Sequence, residues 1–473
     1  MTHQDQGRNG SVCSHAYDLH KALRWLMTGV SMSGIAFRTE CTWTPETLLF
    51  AALLWAWSDE KTLLERFTTA RKIIINRYAD QPEPAGSYQA FTKMLCRWTE
   101  PLRQALSTAF RQRMAQMLAA VWMVEGWLVF AVDGSRVDVP RTWKNEERYS
   151  PKSKLSRKAQ QRRRAAKRRR TRQAMLERRA NVPRIWLTMM WHVGSGLSWD
   201  WRTGPSDSSE RGHFQEMLDS TPVGSLLTAD AGFVGYDFWK TVLDADRHLL
   251  VRVGSNVKLL KKLGSARECN GLVYLWPDRA AKKRLPPLVL RMVVVTNEDR
   301  KPIYLVTDVM DRRKLSDAKM AVIYRKRWGI EVYYRHCKQT FERRKLRSQN
   351  PDNAMVELHW SLLGMWAMGL HSHSRLVGQG VSPERISFAG IWRAYRRPMR
   401  EYKSPPDPGE RMRQLIDRAL IDPYQRRNKA SRDYPLKKQE QSAGPPILRK
   451  ATRAQVQLAT QVKREQTRKG LTA

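Results

Sequence analysis

Two apolar runs of this chain stop on an aspartate, and a small or flexible residue follows each. "GWLVFAVDGSRVDV" carries the run Trp127–Val132 into Asp133-Gly134-Ser135, and "GSLLTADAGF" ends at Asp230 before Ala231-Gly232. Short apolar runs of this kind have strand propensity. Around them lie segments of the other kind. "DSSERGHFQEMLDS" opens on good helix N-cap residues, and "YDFWKTVLDAD" also reads as a helix. "RIWLTMMWHV" (Arg184–Val193) and "GLSWDWRTG" (Gly196–Gly204) read as a hairpin about Gly194-Ser195-Gly196, with "HLLVRVG" a further strand. Strands alternating with helices predict an α/β core. In such a sheet, acids at the strand ends project into a crevice where a ligand can approach.

The flanks differ in kind. Residues from about Tyr17 to Ala120 read as helical: Thr44-Pro45 is a start signal, dense apolar spacing follows, "QPEPAG" breaks the pattern and "SYQAFTKMLCRWTEPLRQALSTAFRQRM" resumes it. This all-α region, residues 1–120, suits recognition of DNA ends or a plain scaffold equally. The first part of the core is expected over 121–257 and a β-rich insertion over 258–314, from "LVYLW", "LPPLVLRMVVVT" and "KPIYLVTDVMD". Helices are expected over 315–400, among them the strongly apolar "AMVELHWSLLGMWAMGLHSHSRL". The basic, Pro- and Gln-rich tail, 401–473, is expected to lack fixed structure.

Charge narrows the partner. The 473 residues include 85 Lys and Arg against 45 Asp and Glu, a formal net charge of +40. So large a charge repels itself in a compact state unless a polyanion screens it. Nucleic acid is the expected partner, and an anionic membrane surface the competitor. The polar start "MTHQDQGRNGSVCSH" has no apolar signal core. The longest apolar run, Leu48–Trp57, is about half the ~20 residues a spanning helix needs. Cys13, Cys41, Cys96, Cys269 and Cys337 form no CxxC pair, and the histidines have no HExxH spacing. The expectation is a soluble cytoplasmic protein with reduced thiols, associated with the nucleoid and with no membrane partner. The run Lys152–Arg179, with Glu177 its one acid, reads as a mobile or partly helical arm that contacts the DNA backbone.

One carboxylate stands out among cations. In "YRKRWGIEVYYRHCKQTFERRKLR" (324–347), Glu331 is the only acid between Asp317 and Glu342. On a continuous helix counted from Tyr324, Arg327 falls at roughly 300°, Glu331 at 340°, Lys338 at 320° and Arg335 at 20°. One face thus carries an aromatic hydroxyl, one carboxylate and three cations, a composition suited to a scissile phosphate beside a metal ion. Two-metal phosphodiester chemistry needs about three acids around ions roughly 3.5–4 Å apart. Mg²⁺ suits such a site because it takes carboxylate and phosphate oxygens. Asp133 and Asp230 are the natural partners of Glu331. An aspartate after a strand is also an ordinary turn or cap residue, and Asp308 in "YLVTDVMD" has the same setting.

Tyr324-x2-Arg327-x3-Glu331-x6-Lys338 resembles the Y-R-E-K signature of bacterial insertion-sequence transposases of the DDE type, in the insertion-sequence-four-like family. "AVDGSRVDVP" and "LLTADAGFVG" resemble that family's two aspartate motifs, and the likeness spans roughly Trp127 to Leu346. The resemblance implies an RNase H-like core with an inserted β region and a cut-and-paste DNA transposase. It implies that Asp133, Asp230 and Glu331 bind two Mg²⁺ ions, for which Mn²⁺ can substitute. Tyr324, Arg327, Arg335 and Lys338 would contact DNA, and two copies would join element ends and target in a synaptic homodimer. Trp276 and Tyr304, in the β insertion, are the aromatics that could stack on an extruded base. The competing readings are a general metal-dependent nuclease and a non-catalytic DNA-binding protein descended from a transposase.

Overall fold

Apolar patterning sorts the chain into helices at both ends and one sheet between them. The computed structural model describes residues 14–77, 83–151, 182–297, 300–401, 411–422 and 444–468. The basic run Lys152–Arg179 lies outside the described residues.

The described elements before the first strand are helical: α1 (Ser14–Met27), α2 (Pro45–Trp57), α3 (Leu63–Arg77), α4 (Tyr88–Met117) and a short 3-10 turn. Helix α2 starts where Thr44 Oγ1 accepts a hydrogen bond from the Thr47 N–H at 3.1 Å, with Pro45 in the first turn. Every residue from Thr47 to Trp57 is buried. A helix that is apolar all round belongs in a core, and this one sits inside the helical layer.

The sheet begins with β1 (Val129–Asp138), followed by α5 (Trp143–Tyr149), β2 (Arg184–His192) and β3 (Leu197–Gly204). Then come α6 (Glu210–Met217), β4 (Leu226–Ala229), α7 (Tyr236–Asp244) and β5 (His248–Val253). The hairpin turns at Gly194–Gly196, as its sequence predicts, with β2 and β3 antiparallel. β1 pairs parallel with β4 and β4 with β5, while β2 runs antiparallel to β1. Five strands therefore lie in the order β3-β2-β1-β4-β5.

Residues 258–307 add β6 (Lys258–Lys261), β7 (Leu272–Leu275), the short α8 (Asp278–Lys282), β8 (Leu288–Asn297) and β9 (Arg300–Thr307). These strands are antiparallel to one another, and β9 pairs with β5, so they extend the same sheet. The chain continues through α9 (Asp317–Lys326), α10 (Gly329–Arg335), α11 (Pro351–Gly378), α12 (Phe388–Glu401) and α13 (Met412–Asp417). The apolar α11 is the centre of the helical layer. It packs on α4 and α2, and Trp360 Nε1 on α11 donates to Thr99 Oγ1 on α4 at 2.8 Å. Among the described residues, no helix is long and apolar enough to cross a membrane.

The described part of the tail departs from the expectation of no fixed structure. β10 (Ile447–Lys450) pairs parallel with β6 at the sheet edge, and α14 (Arg453–Arg468) buries Ala459 and Val462. Those two, three residues apart on one helix face, give the segment a narrow apolar stripe that its polar composition masks.

One buried acid joins the two layers. Asp200 on β3 is 4% exposed and lies 3.3 Å from Arg103, 3.2 Å from Arg111 and 2.9 Å from Arg202. Arg103 and Arg111 both belong to α4. Replacing Asp200 with Ala leaves the part-buried Arg111 without its counter-charge, while Arg103 keeps Glu100 and Arg202 keeps Glu216; breaking a buried pair of this kind costs about 3–5 kcal/mol. Chemical denaturation is expected to show this loss for Asp200→Ala. A loss within about 0.5 kcal/mol, the range for surface changes, would mean that this pair of layers is held elsewhere.

Candidate active site

The β1–β4 pairing brings the two aspartates together. Ala131 is opposite Thr228, so two residues further along each strand Asp133 stands level with Asp230. Neighbouring strands are about 4.8 Å apart. β1 runs on to Asp138, which places Asp133 within the strand and not at its end. Asp230 does follow its strand directly. Its Oδ1 accepts the Gly232 N–H at 2.8 Å and caps the 3-10 turn Ala231–Phe233.

Glu331 arrives from α10, and the segment that carries it is not one regular helix. Helix α9 ends at Lys326, α10 begins at Gly329, and a π-turn covers His336–Thr340. Several contacts hold this segment to the strands. Tyr334 Oη donates to the Asp133 carbonyl at 2.8 Å, and Lys338 Nζ donates to Ser135 Oγ at 2.6 Å. Gly329 packs on Trp191 so tightly that a Cβ there would stand 2.1 Å from the indole.

Of the four residues expected to contact DNA, Tyr324 and Arg327 stay together, while Lys338 and Arg335 lie apart from them. Arg327 is 8% exposed, and its Nη2 lies 3.0 Å from Glu331 Oε1. The guanidinium also sits over the Tyr324 ring, 5.3 Å from its centre. Tyr324 is buried, which raises the pKa of its phenol. Lys338 is half-buried at Ser135, and burial lowers its pKa. Arg335 is exposed at the end of α10, away from this pairing.

The acids act on one another. Burial pushes the Asp133 carboxyl up to about 7, the Asp230 and Glu331 charges add to the rise, and the Gly134 N–H and Arg327 oppose it. Arg327 therefore offsets only part of the rise that burial causes. Among the described residues, no three His, Cys, Asp or Glu side chains stand close enough to hold a metal ion as they are. Glu331 faces Arg327 instead. The donor set is all carboxylate, which suits a hard divalent cation.

A fourth acid, Glu210, also borders the site. It opens α6, and both burial and the Asp230 charge raise its pKa. The sequence shows it only as the first residue after the cap Ser209, where an acid is routine.

The remaining strand-end acid and the two aromatics of residues 258–314 are placed by their packing. Asp308 follows β9, but its Oδ2 meets His248 Nδ1 at 2.6 Å and its Oδ1 accepts the Leu249 N–H at 2.8 Å. It lies where β5 begins, whereas Asp230 lies where the parallel β4 ends, so it is at the other end of the sheet. Trp276 is 4% exposed with its indole N–H donated to the Leu285 carbonyl at 2.8 Å, a packed strand-end residue. Tyr304 is half-buried on β9.

Asp308, accepting a hydrogen bond from His248, raises the His248 pKa above its ordinary 6.5. A raised histidine stabilises the fold fully below its unfolded value and loses that contribution as pH rises through the folded value. Asp308→Asn is thus expected to lower thermal stability most at pH 5–6 and least at about pH 9. Equal destabilisation across that range would show that the pair contributes no charge.

With this geometry in hand, three comparisons are informative. The family described as "Transposase DDE domain" matches residues 128–366. A curated relative, the transposase InsG for insertion sequence element IS4 from Escherichia coli (strain K12), is 26% identical over 231 residues. That match takes in 46% of this chain and 51% of the relative, so the chain spans about half the length of the curated relative it matches. Among solved structures, a piggyBac transposase synaptic complex with hairpin DNA aligns with a TM-score of 0.41 and 11% identity, over 89% of each chain.

Proposed function

The chain belongs to the DDE transposase domain family, and from that premise we propose that it cuts DNA at insertion-element ends and transfers the 3′-hydroxyls into target DNA. The observation that carries this reading is the level placement of Asp133 and Asp230 on adjacent parallel strands, with Glu331 close enough to raise the Asp133 pKa. The strand order β3-β2-β1-β4-β5, with β2 antiparallel, supports an RNase H-like core.

Asp133, Asp230 and Glu331 would hold two Mg²⁺ ions, or Mn²⁺ in their place. Bound there, such ions activate a water or 3′-hydroxyl and stabilise the leaving oxygen. The chain's own residues do the rest. Arg327, with a buried Nε that has no hydrogen-bond partner, offers a donor to a phosphate at the Glu331 edge. Tyr324 backs that guanidinium, and Lys338 aligns the phosphate beside Ser135. Arg335 contacts the DNA backbone further out, from its exposed position.

In this reading residues 1–120 recognise element ends, and residues 121–257 begin the catalytic core. Residues 258–314 are an insertion within that core, and 315–400 return the glutamate helix. The net charge of +40 draws in double-stranded DNA, and a second copy completes the synaptic complex in the cytoplasm, on the nucleoid. The arm 152–179 and the basic tail add backbone contacts.

The test is a cleavage and joining assay on DNA carrying the flanking ends, in Mg²⁺ and then Mn²⁺. Wild type is expected to cut at the ends and join 3′-hydroxyls, and Glu331→Ala to fall to background while still binding. Lys338→Ala should lower the slope of log affinity against log salt by about 0.9, the value for one lost phosphate contact. Cutting without regard to ends, with no joining, would favour a general nuclease. Binding without any cutting, beside an active related enzyme, would leave a binding protein.

A further inference from the structure

Glu210 is held against the glycines that follow both aspartates, Gly134 within β1 and Gly232 in the turn after β4. A Cβ on Gly134 would stand 2.1 Å from Glu210 Oε1, so the carboxylate occupies the space that any other residue's side chain would take. A Cβ on Gly232 would stand 2.9 Å from Asp230 Oδ1 and 3.8 Å from Glu210 Oε2. Side chains alternate along a strand. Glu210 therefore approaches from the face of β1 opposite Asp133 and comes up to the Gly232 turn beyond the end of β4, where the Asp230 charge acts on it.

The first turn of α6 is built as a clamp. Ser209 Oγ caps it by accepting the Gly212 N–H at 3.2 Å. Arg211 then donates to the Gly232 carbonyl through Nε at 3.0 Å and Nη2 at 2.8 Å. The helix start is thereby tied to the same turn whose Gly232 N–H fixes Asp230 Oδ1.

We infer that Glu210 is a positioning residue of the ion site: held by this clamp, its carboxylate acts through Asp230 and strengthens divalent-ion binding between the two aspartates. The inference rests on the proposed reading of Asp133, Asp230 and Glu331. Residues outside the ligand shell that orient ligands typically change metal affinity by about 10–100-fold.

The experiment measures Mn²⁺ binding by the full chain without DNA, from the electron-paramagnetic-resonance signal of free Mn²⁺. Thermal stability is followed with and without the ion. Wild type, Glu210→Gln, Glu210→Asp and Asp230→Asn are compared. Glu210→Gln should weaken Mn²⁺ about tenfold and lose most of the Mn²⁺-induced rise in Tm, with its metal-free Tm close to wild type. Glu210→Asp, which keeps the charge, should lie between the two and decides the matter if the Gln variant does not fold. Unchanged Mn²⁺ affinity in both Glu210 variants, with a lower metal-free Tm, would overturn the inference in favour of a helix-start charge, while Asp230→Asn alone weakening Mn²⁺ would leave the three-acid reading standing. Wild type and Asp230→Asn binding Mn²⁺ equally, or neither binding it, would overturn both.

Discussion

Parallel pairing of β1 with β4 fixes how close Asp133 and Asp230 come, and the other groups of the site are placed relative to that pair. The register sets both acids at one level. Burial raises the Asp133 carboxyl to about 7, and the charge of the neighbouring Asp230 carboxylate adds to the rise. Arg327 is the resident counter-charge. It sits between the aspartates and Glu331, but its direct ion pair is to Glu331, and Asp133 is left short of positive charge.

Glu331 is aimed from the helical side, and its accuracy depends on breaks in helix geometry. A regular helix from Tyr324 to Lys338 would swing all the signature residues by fixed steps. The junction at Arg327-Trp328 and the π-turn at His336–Thr340 interrupt those steps. π-turns inside helices are frequent at functional sites because they re-aim side chains. Here the turn lets Lys338 reach Ser135, while Tyr334 and Gly329 hold the preceding helix on β1 and Trp191. Exposure of Arg335 follows from the same geometry: with no strand partner on its side, it faces solvent.

Much of this was legible in the residues. Apolar runs ending in aspartate located β1 and β4, the glycine-bounded hairpin located β2 and β3, and the lone acid among cations located Glu331. Three things were not legible, each for a physical reason. Local sequence does not report pairing register between strands nearly 100 residues apart, so the levelling of Asp133 with Asp230 came only from the sheet. Asp308 shares the strand-end setting of Asp230, and only the parallel direction of β4 and β5 shows that it lies at the opposite end. Glu210 looks like an ordinary helix-start acid, because its importance lies in two glycines on other elements that leave room for it. The tail misled in the other direction: a strand and a helix with a two-residue apolar stripe are too small a signal against so many basic and polar residues.

The contrast between global and local charge gives the site its logic. A chain with net charge +40 attracts a polyanion from a distance. In the proposed site a phosphate would meet Asp133, Asp230 and Glu331, which would repel it at close range. Arg327, already engaged by Glu331, would not offset all three. A phosphate would settle there only with further positive charge, a part that a hard divalent ion beside carboxylates would fill. The same balance suits the acids in the absence of a cation: burial holds the Asp133 carboxyl up at about 7, and Glu331 pairs with Arg327.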